Sequence, residues 1–243
     1  MNPALRQGHA HSFGPRIMTP MLETLRRNLG DVRARIAAAC GRAGRDPAGV
    51  TLVCVTKYAD EAWVRGLYDL GERHFGESRP QQLTARREAF PGDVLWHLIG
   101  QLQSNKVRPA VRAADVVHSV ASRKLLDRCA RISDEEGVSP RLLLQINVSG
   151  EASKQGFVPE ELTADLAAPA AVAGLMTMAP AADDPASVRP VFGRLATLRD
   201  RLASEAGRPL PDLSMGMSGD FEPAVECGAT LVRVGSRLFA GLA

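Results

Sequence analysis

The chain has 243 residues, 45% hydrophobic and 23% charged, with a formal net charge of +3 at pH 7. That balance excludes a disordered or fibrous chain and suits one globular domain of the size that α/β barrels commonly reach. No apolar run approaches the roughly 18–20 residues of a bilayer-spanning helix, and basic and acidic residues are interleaved, so neither a membrane nor nucleic acid is expected as a partner.

Residues 1–20 contain His9, His11 and several Gly and Pro without an apolar signal core, and are expected to be a disordered leader before a single domain at 21–243. Cys40, Cys54, Cys129 and Cys227 are far apart, with no C-x-x-C pair and no histidine at ligand spacing. Neither a disulfide framework nor a metal site is expected, and a reducing cytoplasm is the simplest setting. From Met21 to Arg42 the residues Leu22, Leu25, Leu29, Val32 and Ile36 recur at helical spacing, which predicts an opening amphipathic helix.

Short β-rich runs then alternate with helical patterns. The strands are expected at 51–55, 73–76, 94–99, 116–119, 142–148, 172–176, 213–215 and 230–234, with helices at 61–70, 81–89, 122–136, 159–167 and 186–206 between them. Eight such alternations, with no Pro/Gly/Ser linker dividing them, predict an α/β fold: a single (β/α)8 TIM-type barrel with an additional N-terminal helix. A doubly wound open sheet is the alternative.

In such a barrel the reactive groups stand at the C-terminal ends of the strands. Lys57 follows the apolar run Leu52-Val53-Cys54-Val55, which carries it to the barrel mouth, where a neutral amine forms a Schiff base with an aldehyde. A lysine that merely reaches out to solvent is the competing reading. Ser218-Gly219 and Gly235-Ser236 end the seventh and eighth strands just before short helical patterns. Turns of that kind present backbone N–H groups and hydroxyls to an anion, and phosphates in these barrels recur in this region. Together with the lysine they point to a phosphorylated aldehyde. His97, inside an apolar strand, reads as a core histidine or part of a cofactor shell, and His118 as a mouth residue or an interior one. Trp63 reads as helix packing.

These motifs resemble a known family. Val55-Thr56-Lys57, Phe75-Gly76-Glu77-Ser78-Arg79, the stretch from Trp96 to Lys106, Gly174-Leu175-Met176-Thr177-Met178, the stretch from Leu213 to Phe221 and Val232-Arg233-Val234-Gly235-Ser236 are similar to those of the pyridoxal phosphate homeostasis proteins, which resemble the isolated N-terminal barrel of alanine racemase. The resemblance runs in unbroken order from about Leu22 to Gly241. It implies that Lys57 holds pyridoxal 5′-phosphate (PLP) as an aldimine and that Arg233 faces the pyridine nitrogen. It further implies that Ser218, Gly219, Gly235 and Ser236 hold the phosphate, with Met217 and Asn147 nearby. The sequence departs from the family pattern at Ser78, where an Asn is usual, and at Gln82, where a Glu often stands.

Two functions follow from the resemblance. One is a cytoplasmic, monomeric PLP carrier that buffers the cofactor or passes it to apo PLP-dependent enzymes, without robust turnover of its own. The other is an amino-acid racemase of the alanine racemase type. The racemases bring a catalytic tyrosine from a second, β-rich domain, which is not expected here. Tyr58 follows the lysine directly and, by strand alternation, is expected on the other face.

Overall fold

A computed structural model of the chain describes residues 19–151, 155–169, 171–180 and 184–242. The leader up to residue 18, with its two histidines, lies outside the described residues, as does Lys154 in the loop expected after the fifth strand.

Helix α1 (Pro20–Arg42) begins one residue inside the expected leader: Thr19 caps it by accepting from the Leu22 N–H, and Pro20 opens its first turn. Both choices suit a helix start, because the hydroxyl satisfies an otherwise orphan donor and proline has none to lose. Leu25, Leu29, Val32, Ile36 and Ala39 form its buried stripe.

Eight strands follow: β1 (Thr51–Val55), β2 (His74–Glu77), β3 (Leu95–Leu98), β4 (Val116–Val120), β5 (Arg141–Gln145), β6 (Val172–Met176), β7 (Asp212–Met217) and β8 (Leu231–Val234). Each pairs in parallel with the next, and β8 returns to β1 with Leu52 opposite Val232. The sheet is a closed barrel, which excludes the open doubly wound alternative. The ring outside it is built from α2 (Glu61–Asp69), α3 (Pro80–Ala89), α4 (Val107–Ala113), α5 (Arg123–Glu136), α6 (Ala164–Ala167), α7 (Arg189–Glu205) and α8 (Phe221–Glu226). Helix α1 packs against α2 and α8 and completes that ring.

Two expected elements are redrawn and one helix is added. The helix expected at 159–167 is a 3-10 turn followed by the four residues of α6, because Leu162 and Thr163 are extended, with ψ of 113° and 157°, which sends Leu162 into the core. The strand expected at 142–148 stops at Gln145, since Asn147 bonds through its N–H to the Phe157 carbonyl instead of continuing the ladder. Helix α4 has no counterpart among the helices expected from periodicity. It is only seven residues long, with Pro109 in its first turn, where the ring does no harm.

Alternation along the strands divides the core in two. Leu52 and Cys54 of β1 face the helices as part of the main cluster, whereas Val53 turns inward with Val116, Leu143, Ala173, Met176 and Leu231. The same inward alternation carries a column of polar residues through the barrel. Among the described residues no helix is long and apolar enough to cross a membrane.

Candidate cofactor site at the barrel mouth

The C-terminal ends of the strands open into a cavity of about 790 Å³ lined by Lys57, Met217, Ser218, Gly219, Arg233, Gly235 and Ser236. Seven of the eight site residues expected from sequence therefore converge on one space. Asn147 does not line it. Its side chain closes its own loop, donating to the Glu151 carbonyl (2.9 Å) and accepting from the Gly150 N–H (3.2 Å).

Lys57 lies just beyond β1, in a turn held by the Ala59 N–H on the Thr56 carbonyl (2.9 Å). The Gln82 amide, from α3, donates to the Lys57 carbonyl at 3.1 Å and ties the turn to the helical ring. Beneath it the buried Thr56 hydroxyl donates to Glu77 (2.7 Å), whose carboxyl is pushed up by burial against the lowering effects of that bond and of Arg86. The expectation for Tyr58 is corrected: it lines the same cavity as Lys57, with its ring centroid 5.1 Å from Nζ. Strand alternation does not extend past Val55, and in a turn two neighbours can face the same space.

The two anion-binding turns are stitched together. The Ser218 hydroxyl accepts from the Gly235 N–H (3.2 Å), which leaves its own proton to donate. Arg237 Nε holds the Ser218 carbonyl at 2.5 Å. The N–H groups of Gly219 and Ser236 bond to no other described residue. Gly235 passes so close to β1 that a Cβ there would stand 3.1 Å from the Val55 carbonyl oxygen. Gly216, at φ +90°, turns β7 toward Ser218, and a Cβ would stand 2.9 Å from the Phe221 Cα. The small residues are therefore requirements of the backbone path.

Arg233 is 5% exposed, yet among the described residues it has no ion pair. Its Nη1 donates to the Ser214 hydroxyl (2.5 Å) and its Nη2 to the Thr177 carbonyl (3.0 Å). Burial lowers its pKa to about 10, partly opposed by Asp220, so it remains a cation at neutral pH. The Asp220 carboxyl is itself pushed up by burial and is occupied by the Met217 N–H (2.5 Å).

Ser214 and Thr177 are not expected from the sequence as partners of Arg233, although both lie in the motifs that carry the family resemblance. A serine at an inward position of an apolar strand was the available signal. His97 and His118 are fully buried and bonded to each other (2.9 Å), away from the mouth cavity. His118 is thus an interior residue, and His97 a satisfied core histidine. Trp63 packs against Phe239 (centroids 5.7 Å apart) and also lines the cavity.

A second cavity, of about 760 Å³, opens at the opposite end among His74, Asp115, Arg141 and Asp212. Strand polarity decides between the two, because the loops that carry chemistry in parallel barrels follow the C-terminal ends.

The fold and the mouth define a (β/α)8 barrel protein with a strand-end lysine, a buried arginine that forms no ion pair among the described residues, and a two-turn anion cradle around one cavity. The family model for the alanine racemase N-terminal domain matches residues 22–242. A pyridoxal phosphate homeostasis protein of Aquifex aeolicus is 39% identical over 87% of this chain and 95% of its own length. Its counterpart from Pseudomonas aeruginosa is 39% identical over 90% and 96%. The solved structure of PipY from Synechococcus elongatus with PLP bound is 36% identical, covers 89% of this chain and all of its own, and superposes with a TM-score of 0.76. An alanine racemase from Clostridium difficile, at 14% identity and a TM-score of 0.67, shares the fold. The chain belongs to the alanine racemase N-terminal domain family and, within it, to the pyridoxal phosphate homeostasis proteins.

Proposed function

We propose that this protein binds PLP at the barrel mouth and serves as a carrier that buffers the cofactor and delivers it to apo-enzymes in the cytoplasm. The observation that carries this reading is Arg233: a buried guanidinium with no ion pair to a carboxylate among the described residues, facing the same cavity as the Lys57 amine and the two turns. A buried cation is costly unless compensated, and an anionic ligand bearing an unprotonated ring nitrogen compensates it. The donor set fits PLP in each of its parts. The hydroxyls of Ser218 and Ser236 and the N–H groups of Gly219 and Ser236 suit a phosphate, Arg233 suits the pyridine nitrogen, and Lys57 suits the aldehyde.

When bound, PLP supplies an electrophilic aldehyde and a conjugated ring that accepts electrons. Lys57 would supply the amine that holds it, and Gln82 fixes the turn from which that amine extends. Arg233 would donate to the ring nitrogen and oppose its protonation, since a guanidinium does not give up its own proton at neutral pH. That weakens the ring as an electron sink and favours holding the cofactor over turning it over. The turns of Ser218 and Gly235 would grip the phosphate.

The test is the visible spectrum of the purified protein with PLP, followed by borohydride reduction and peptide mapping. A new visible band and a pyridoxyl group on the Lys57 peptide are expected. No uptake of PLP, or labelling of another lysine, would overturn the reading.

A further inference from the structure

We propose that Ser214, His118, His97 and His74 are positioning residues for Arg233, forming a hydrogen-bond chain of single polarity that runs through the barrel and holds the guanidinium toward the mouth cavity. The proposal rests on the PLP-binding reading above for its purpose, but the chain itself is a property of the protein alone.

The distances trace one path: Arg233 Nη1 to Ser214 Oγ (2.5 Å), Ser214 Oγ to His118 Nδ1 (2.8 Å), His118 Nε2 to His97 Nδ1 (2.9 Å) and His97 Nε2 to His74 Nδ1 (3.0 Å). Four elements contribute, β8, β7, β4 and β3, before the path reaches His74 at the start of β2. Ser214, His118 and His97 are fully buried, so no water competes for these contacts.

The donors can be assigned from chemistry. A guanidinium only donates, so the Ser214 oxygen accepts from Arg233. The single Ser214 proton then goes to its other partner, His118 Nδ1. A neutral imidazole that accepts on Nδ1 carries its proton on Nε2, and His118 therefore donates to His97. The same logic repeats at His97 and leaves the proton of His74 on Nε2, in the residue that lines the far cavity. Reversing the order would leave the Ser214 proton buried without an acceptor, a loss of the kind that native interiors avoid. Protonating His97 would set its Nδ1–H against the His118 Nε2–H, and protonating His118 would set its Nδ1–H against the Ser214 hydroxyl proton. Burial pushes both well below the ordinary histidine value, helped by the neighbouring rings and by Arg141 and, for His118, Arg233.

The consequence falls on Arg233. Two of its N–H groups are committed to Ser214 and Thr177, and the rest of the fork is left to the cavity. Without the chain, Ser214 could turn its proton elsewhere and the guanidinium could swing toward Asp220.

Ring ¹⁵N spectra of the cofactor-free protein near neutral pH test the polarity without any variant. His74, His97 and His118 are expected to be neutral with the proton on Nε2, and an Nδ1 proton or a charged ring at His97 or His118 would overturn the chain. In the PLP-loaded protein, Ser214→Ala is expected to shift the visible band and its pH response and to weaken PLP roughly ten-fold or more, as loss of a bond to a charged group does. An unchanged spectrum and affinity would overturn the positioning role. Failure of the wild-type protein to take up PLP would defeat the functional reading instead, while the ¹⁵N result would still decide the chain.

Discussion

The Gly235 N–H donates to the Ser218 hydroxyl across 3.2 Å, joining the turn after β7 to the turn after β8. A phosphate seated between them would therefore meet one cradle with a shared donor, and a change on either side disturbs both. Replacing Ser218 and Ser236 together by alanine should weaken PLP by roughly ten- to hundred-fold, the loss expected for hydrogen bonds to a charged acceptor. Pyridoxal, which lacks the phosphate, should lose far less. Parallel spectral titrations with both ligands check this, and equal losses would place the phosphate elsewhere.

Lys57→Ala should abolish the visible band and the borohydride-stable label while leaving weaker, reversible uptake of PLP through the turns and Arg233. Because Lys57 stands in a turn at the surface of the cavity, the substitution should leave thermal stability nearly unchanged. A label that persists on another lysine would show that the amine had been misassigned. Gln82→Ala is a milder probe of the same turn: it removes the bond to the Lys57 carbonyl and should slow or weaken uptake several-fold without abolishing the band.

Stability should fall as the medium is acidified below the ordinary histidine pKa of 6.5. His97 and His118 are held well below that value by burial, so the unfolded chain binds protons there that the folded chain refuses. Their contribution is complete above 6.5 and is lost as pH falls toward their folded values, at up to about 1.4 kcal/mol per pH unit for each ring. Glu77, Asp212 and Asp220 are shifted upward by burial; they act in the opposite sense and flatten the curve near the carboxylate range. Denaturant unfolding at a series of pH values measures the slope. His97→Gln should make it shallower by one proton, and a stability independent of pH in this window would contradict the buried neutral rings.

The barrel was legible because its signals are local. Strand candidates such as 51–55 and 172–176 match β1 and β6 residue for residue, since a short apolar run closely preceded by Gly or Pro and closed by a threonine suffices to mark a buried parallel strand. The site's outline was legible for a related reason: strand ends carry the chemistry, and Lys57, Ser218 and Gly235 each follow an apolar run. What was not legible depends on contacts between side chains of different strands. Ser214 meets His118 across 96 residues and Arg233 across 19, and an inward serine in an apolar strand signals that a polar partner is needed without naming either. Asn147 shows the converse, a polar residue in the expected place whose amide is taken up by its own loop. Tyr58 was misplaced because alternation was carried one turn too far.

The carrier reading predicts negligible racemase turnover. Racemisation on PLP needs acid–base groups on both faces of the α-carbon, each typically contributing roughly 10²–10⁴-fold. Lys57 can serve one face. Tyr58 lines the same cavity, but its ring lies beside the lysine amine, 5.1 Å from Nζ, and its side chain is 87% exposed, so it is poorly placed to act across the substrate. His118 is fully buried with both ring nitrogens bonded, to Ser214 and to His97, and does not line the cavity. Arg233 further limits the ring as an electron sink. Incubating the PLP-loaded protein with L-alanine in deuterated water reads inversion and α-deuterium exchange separately. Slow exchange without inversion, with transfer of PLP to an apo-enzyme, is the expected outcome, and Tyr58→Phe should leave it unchanged. Enzyme-like inversion that disappears in both Lys57→Ala and Tyr58→Phe would establish a two-base racemase in place of the carrier.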